Sequence, residues 1–482
     1  MSMSAHHTVE KIGGTSMSAT DVVFRNVLIG DRTGAELYNR IFVVSAFAGM
    51  TDLLLSHKKT GAPGVYARFL KSDPDTPWQE ALTEVRTAMK ARNAEMLARP
   101  ESRAEADRFV DERIADMHAC LEDLDRLRRH GQFRLSEPLA TIMEMLAGLG
   151  EAHSAYSTAL LLRDRGVNAV VVDLTSWQDG EMPTLDERIK VAMSKINLAT
   201  QLPIVTGYAA CEGGMVSRYS RGYSEITFSR IAVLTGAREA IIHKEFHLSS
   251  ADPKLVGVEK ARKIGQTNYD VADQLANLGM EAIHPRASRG LRQSNIPLRV
   301  RNTFDKDDEG TLICCDYVSD KPRVEIIAGM RSLVALQFFE QDMVGEKGYD
   351  AAVLEVLTQR RARIVSKSSN ANTITHHLDA DAATMLQVIA DLEERYPNAT
   401  VEATPVAMVS VIGSDISEPG VVALALKQLK EAGIRVLALQ HQIRNVDVQF
   451  LIDPQDFDRA VQVLHDALIT PGIGSSAKQA AA

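Results

Sequence analysis

Cysteine is scarce in this chain. Its 482 residues hold four, Cys120, Cys211 and the adjacent Cys314 and Cys315. None has the spacing of a metal-ligand set, and so few in so long a chain argue against an oxidising compartment. No long basic run is present and the formal net charge is -9, so nothing encourages a nucleic-acid partner. No window has the length and apolarity of a membrane span. The opening, Met1 to Glu10, is polar and lacks the apolar stretch of a signal peptide. Together these absences lead to the expectation of a cytoplasmic protein without membrane contact.

What is present is an ordinary globular composition, 45% apolar and 24% charged. The length suggests about three domains. Arg40 to Ala46, Ala169 to Leu174, Pro203 to Ala209 and Ala237 to His243 read as buried strands, rich in β-branched residues. Helix-like stretches such as Ser154 to Arg165 and Ser229 to Leu234 lie between them, which predicts an α/β layered domain over residues 1–318. A charged segment, 57–135, interrupts it. There Val110, Ile114, Met117, Leu121 and Leu124 form one apolar stripe at helical spacing, as an inserted helical hairpin would. Two similar α+β units, 323–398 and 401–470, follow, each expected to open on its own strand, with a disordered tail at 471–482.

Three constellations carry chemistry. Lys11-Ile12-Gly13-Gly14-Thr15-Ser16 joins a cation, a glycine turn and two hydroxyls, with Val9 and Ile12 flanking the lysine as a short strand would. Backbone N–H groups at such a turn suit a phosphate, although a Gly-Gly turn beside a lysine is most often only a turn. The lysine precedes the glycines, so this is not the G-x-x-x-x-G-K-[ST] nucleotide loop. The second is Thr206-Gly207-Tyr208, with Arg221-Gly222-Tyr223-Ser224-Glu225 at a helix start. Capping alone explains Ser224 and Glu225 there; the functional reading gives Arg221 a carboxylate to grip. The third is Gly148-Leu149-Gly150-Glu151, expected to lead into a helix from Ala152, where Glu151 would serve equally as a dipole partner. It lacks the third glycine and the preceding strand of a dinucleotide fingerprint. His243 and His247 have zinc-helix spacing, but Lys244 replaces the glutamate that a zinc hydrolase needs, so no metal site is assigned. Gly222-Tyr223-Ser224 lacks the second glycine of a nucleophile elbow.

Taken in order, these segments resemble the aspartate kinases of the amino-acid kinase superfamily. Lys11 to Ser16 is similar to their K-F-G-G-T-S opening. Val43-Val44-Ser45-Ala46 through Gly49-Met50-Thr51-Asp52, Gly150-Glu151, Thr206-Gly207-Tyr208, Arg221-Gly222, Ala251-Asp252-Pro253-Lys254, His284-Pro285-Arg286 and Ile296 to Phe304 follow. The resemblance implies a three-layer kinase domain with a mostly parallel sheet, followed by two ACT-like domains. It implies phosphoryl transfer from ATP, with Mg2+, to the β-carboxylate of L-aspartate. Lys11, Arg221 and Glu225 would be catalytic. Ser45, Thr51, Glu151, Tyr208 and Arg221 would hold the amino acid. Lys11, Gly13, Gly14, Ser224, Lys244, Ser249, Lys254 and Glu281 would meet the nucleotide. The ACT-like pair would build a dimer and offer a place for an amino-acid effector.

Departures cluster at three places. Tyr223 and Glu225 stand where the family has Gly and Asp, His243-Lys244 where it has Thr-Asp, and Glu281 where it has Lys. Lys244 and Glu281 are candidates for an exchanged charge pair. These departures resemble the specialised aspartate kinases of ectoine synthesis. Gln440-His441-Gln442 replaces small hydroxyl residues of feedback-controlled relatives, which predicts weakened or altered feedback. Other superfamily kinases, acting on glutamate, N-acetylglutamate or a nucleotide, and a non-catalytic ACT-type sensor are the alternative readings.

Overall fold

A computed structural model describes residues 6–469, except 58–59, 72–74, 76, 178–179, 181, 220–221, 281–282 and 418. Arg221, Glu281, Glu418 and the expected disordered tail therefore lie outside the described residues. The chain divides into two compact units: Met1–His247 with Ile283–Cys315, and Leu248–Ala282 with Asp316–Ala482.

The first unit is built on β1 (Thr8–Ile12), β2 (Arg40–Val44), β3 (Ala169–Val172), β4 (Leu202–Thr206), β5 (Glu239–Lys244), β6 (Leu298–Asn302) and β7 (Thr311–Cys314). They lie in the order β3-β4-β2-β1-β5-β6-β7, parallel except for β7. β1 is central, with Lys11 opposite Val43 on one side and Ile242 on the other. The chain leaves it toward β2 first and returns on its other flank as β5. That reversal opens a crevice at the carboxyl ends of the strands, where ligands of open α/β sheets bind. Every residue of β1 is buried, Glu10 included. Its carboxylate is held by Arg40 Nε at 2.8 Å and His243 Nε2 at 2.8 Å. The Arg40 guanidinium also donates to the carbonyls of Val27 and Leu28. A charge at the middle of a core strand is thus fully partnered, as burial requires.

The charged segment forms helices Val65–Lys71, Trp78–Met96 and Pro100–Arg128. Val110, Ile114, Met117 and Leu121 are buried in a cluster with Ala46, Met50, Leu54, Leu146 and Leu149, and Leu124 packs against it. The stripe is covered by the chain's own core. One expectation needs correction here. A single helix, Ser136–Arg163, runs through Gly148 and Gly150, so Glu151 lies in its middle and not at a helix start. The glycines do not break the helix because their missing Cβ atoms make room. A Cβ at Gly148 would sit 2.8 Å from Tyr208 Cδ1, and one at Gly150 would sit 2.9 Å from Ala46 Cβ.

The second unit holds β8 (Ile326–Phe339), β9 (Arg363–Ser369), β10 (Thr373–Asp379), β11 (Thr400–Ile412), β12 (Val436–His441) and β13 (Asp447–Ile452). They form an antiparallel sheet in the order β9-β10-β8-β11-β13-β12. The two expected units are interlocked, each borrowing from the other's opening strand. β8 and β11 pair along their whole lengths, from Phe339 with Thr400 to Ile326 with Ile412. Leu336 and Phe338, late in β8, pack with Val353, Val388 and Leu392. Ile327, early in the same strand, packs with Ala407, Val409, Ala425 and Leu464. The sheet also curls, so that its outermost strands meet: Gln440 Nε2 donates to Lys367 O at 2.9 Å.

The expected boundary at 318 shifts as well. Val271, Leu275 and Leu278 share a core with Ile326, Leu333, Met408 and Leu451, so residues 248–280 pack with the C-terminal sheet.

Candidate active site

The carboxyl ends of β1, β2, β4 and β5 bring most of the expected site residues together. Lys11 is one residue from the end of β1 and 7% exposed. Its ammonium lies 3.6 Å from Glu225 Oε1, and Lys244 Nζ, at the end of β5, lies 3.5 Å from the same oxygen. Glu225 Oε2 accepts the backbone N–H of His284 at 2.5 Å. Burial would raise the Glu225 carboxyl, but the Lys11 and Lys244 cations and the His284 amide outweigh it and hold it below its ordinary value. Burial lowers the Lys11 ammonium, and the Lys244 charge adds to this against the pull of Glu225, Glu151 and Glu245.

Glu225 and Ser224 are not capping residues, which removes the simplest account of them. The helix Tyr223–Thr235 starts at Gly222, in the left-handed region at φ 74°, with no side-chain cap. A Cβ at Gly222 would press to 2.7 Å from His284 Cδ2, so this glycine is required on two counts. Ser224 Oγ meets Ser45 Oγ at 3.3 Å.

The Lys11 turn is less bent than its glycines suggest. Gly13 has φ -70° and ψ 157°, open to any residue. Gly14 is the constrained one, because a Cβ there would lie 2.6 Å from Ala46 O. Beyond it Ser16 Oγ donates to Glu245 Oε1 at 2.9 Å and accepts from Thr303 Oγ1 at 3.1 Å.

A second pole is built around Glu151, 3% exposed. A Cβ at Gly207 would stand 2.6 Å from Ser224 Cβ and 3.4 Å from Glu151 Oε1, so β4 ends against both. Ser154, one turn on, donates to Ser45 O at 2.9 Å. Tyr223 lies edge-on to Tyr208, with ring centroids 5.8 Å apart. Burial and the Glu151 charge push its phenol well above the ordinary range, while its hydrogen bond with Thr51 opposes them.

The structure therefore gathers Lys11, Gly13, Gly14, Ser45, Thr51, Glu151, Tyr208, Ser224, Glu225 and Lys244 in the first unit. Arg221 and Glu281 fall outside the described residues, so Lys244 is seen with Glu225. Ser249 and Lys254 belong to the second unit. There Ser249 Oγ donates to Ala251 O at 2.7 Å, and Lys254 lies in the short helix Pro253–Val256. His243 turns to Glu10, which accounts for it without a metal.

Glu144 and Glu245 were not singled out from the sequence. Glu144 sits seven residues before Glu151, two turns along the same helix face, and that spacing was the available signal.

A sequence profile of the Amino acid kinase family matches residues 7–302, and one of the ACT domain matches residues 409–468. The chain is 49% identical over 465 residues to "Aspartate kinase Ask_Ect" of Stutzerimonas stutzeri (strain A1501), covering 96% of this chain and 98% of the relative. It is 28% identical over 357 residues to the aspartokinase of Geobacillus stearothermophilus, covering 69% and 83%. Among solved structures, E. coli aspartokinase III in complex with aspartate and ADP superposes with a TM-score of 0.70 at 20% identity, covering 96% of this chain and 100% of that one. The same enzyme with lysine and aspartate gives 0.70 at 19%, covering 96% and 99%. At such identities these likenesses speak for the fold, while the sequence relatives speak for the activity. The chain belongs to the amino acid kinase family and is one of its aspartate kinases.

Proposed function

We propose that the crevice at the ends of β1, β2, β4 and β5 is where the γ-phosphoryl group of ATP passes to the β-carboxylate of L-aspartate. The observation that carries this is the meeting of Lys11 and Lys244 at one carboxylate, with the acidic Glu151 close by. A carboxylate oxygen of aspartate attacks the γ-phosphorus, the bond to the β–γ bridging oxygen breaks, and ADP leaves with that electron pair. No base is needed, because the attacking carboxylate is already ionised at neutral pH. Lys11 offsets charge on the transferring group, and positioning and electrostatics are most of the work. Glu151 would take the ammonium of aspartate and Arg221 its α-carboxylate, with Ser45, Thr51 and Tyr208 lining the amino-acid side. Gly13, Gly14, Ser224, Lys244, Ser249, Lys254 and Glu281 are assigned to the nucleotide.

The carboxylate of Glu245 and the hydroxyls of Ser16 and Thr303, hydrogen-bonded in a row, are hard oxygen donors that suit Mg2+. Mg2+ bound with the nucleotide would neutralise phosphate charge.

The C-terminal units are assigned a homodimer contact and an amino-acid effector. The product is assigned to ectoine synthesis. Gln440, tied to Lys367 O, goes with altered feedback. Trapping the acyl phosphate with hydroxylamine, across aspartate, glutamate and N-acetylglutamate, tests the activity. Product with aspartate alone is expected, and turnover only with another acceptor would overturn the reading. In the same assay lysine and threonine, singly and together, should inhibit weakly; strong inhibition by either defeats the feedback assignment.

A further inference from the structure

Glu144 is 7% exposed, and its carboxylate gathers five donors. Oε2 accepts Tyr208 Oη, Met215 N and Val216 N, each at 2.9 Å. Oε1 accepts Ser217 N at 2.8 Å and Ser217 Oγ at 2.9 Å. The three amides are those that begin the short helix Met215–Tyr219, which no earlier turn can satisfy. Two successive glycines in the left-handed region, Gly213 at φ 77° and Gly214 at φ 69°, deliver the chain onto it, and a Cβ at Gly214 would overlap the carboxylate.

What hangs on this anchor is the amino-acid side of the site. Tyr208 is clamped at its hydroxyl by Glu144 and pressed at its ring by the helix at Gly148. Its ring in turn backs Tyr223 edge-on, with centroids 5.8 Å apart. In sequence, the helix Met215–Tyr219 stops two residues before Arg221. One carboxylate therefore fixes both the aromatic wall and the start of the helix Met215–Tyr219.

We infer that Glu144 is a positioning residue for aspartate: it touches no reacting atom and sets the aromatic wall on the amino-acid side of the site. The inference rests on the reading of the site given above. An amide cannot replace it. Gln at this position keeps one acceptor oxygen, and whichever way its amide turns, the NH2 faces at least one backbone N–H, that of Ser217 or those of Met215 and Val216.

The test is steady-state kinetics of Glu144→Gln and Glu144→Asp beside the unaltered full chain, with melting temperature measured in parallel. Glu144→Gln should raise KM for aspartate at least about tenfold while KM for ATP and kcat stay within about threefold. Glu144→Asp, which restores an all-acceptor group on a shorter arm, should fall between. A Glu144→Gln protein with unchanged KM for aspartate would overturn the inference. So would equal losses in both Michaelis constants and kcat, which a merely structural cap would give. If Glu144→Gln does not fold, Ser217→Ala removes a single donor. It should raise the aspartate KM about two- to threefold, and no change would overturn the inference. Absence of aspartate-dependent turnover in the unaltered chain would instead defeat the functional reading itself.

Discussion

Lys11 and Lys244 meet at one atom. Their ammonium groups lie 3.6 and 3.5 Å from Oε1 of Glu225, although they come from different strands, β1 and β5. Two like charges share this ground only because the carboxylate between them is ionised and buried with them. Before substrate arrives, Glu225 does for the two lysines what phosphate oxygens do during turnover.

Removing that carboxylate should be severe. Glu225→Gln leaves two cations without a counter-charge, and its single acceptor oxygen can serve either the lysines or the His284 amide but not both. Breaking a buried pair costs about 3–5 kcal/mol, and losing transition-state electrostatics of this kind costs about 10²–10³ in kcat. Denaturant unfolding and initial rates measure the two losses separately. Lys244→Met in the same background should restore part of the stability, because the like-charge repulsion disappears.

Lys11 predicts an unusual pH response. Burial lowers its folded pKa below the ordinary 10.5, so the ammonium is lost before a free lysine would lose it. Activity should therefore fall on the alkaline side as pH rises through that lowered value. Stability runs the other way. A group with a depressed folded pKa contributes stability that is present above its unfolded pKa and is lost as pH falls through the folded one. The stability of the unaltered protein relative to Lys11→Met should thus increase as pH rises on the alkaline side toward the ordinary lysine value of 10.5, while kcat declines. Thermal melts and rate profiles over that window check both directions, and a kcat flat to the top of it would contradict the assignment.

Gly150→Ala sets two effects against each other. Alanine favours the helix by about 1 kcal/mol over glycine. Overpacking a close contact costs about 1–3 kcal/mol, and here the added Cβ would sit 2.9 Å from Ala46 Cβ. Packing should win, with a net loss of up to about 2 kcal/mol in chemical unfolding, and Glu151 should shift with its neighbour. A stabilised variant would mean that the helix has room to yield there.

Much of this site was legible in the order of short segments. β1 announced itself because Val9 and Ile12 flank Lys11 at strand spacing before a glycine turn. What could not be read was how helices treat glycine. Gly148 and Gly150 looked like a break, whereas the structure uses them to let Tyr208 and Ala46 approach a continuous helix. Ser224 and Glu225 looked like caps because they stand at a helix start. Their partners, Ser45 and Lys11, lie about 180 and 214 residues away in the chain, and local patterns carry no such information. The same limit hid Glu144, whose five donors are assembled only when β4 and the loop after it close over the helix.

The shared strands β8 and β11 bear on how this protein can be cut or recombined. A chain ended after the first C-terminal half would keep β8 but expose most of one backbone edge, inviting pairing with another molecule. A hybrid exchanging only the later half would have to match a foreign strand to β8 over thirteen residues of β11 and preserve the register shift at Val406/Met408. The C-terminal portion is therefore inherited, transplanted or lost as one piece, and a graft that moves half of it should aggregate where a graft of the whole folds.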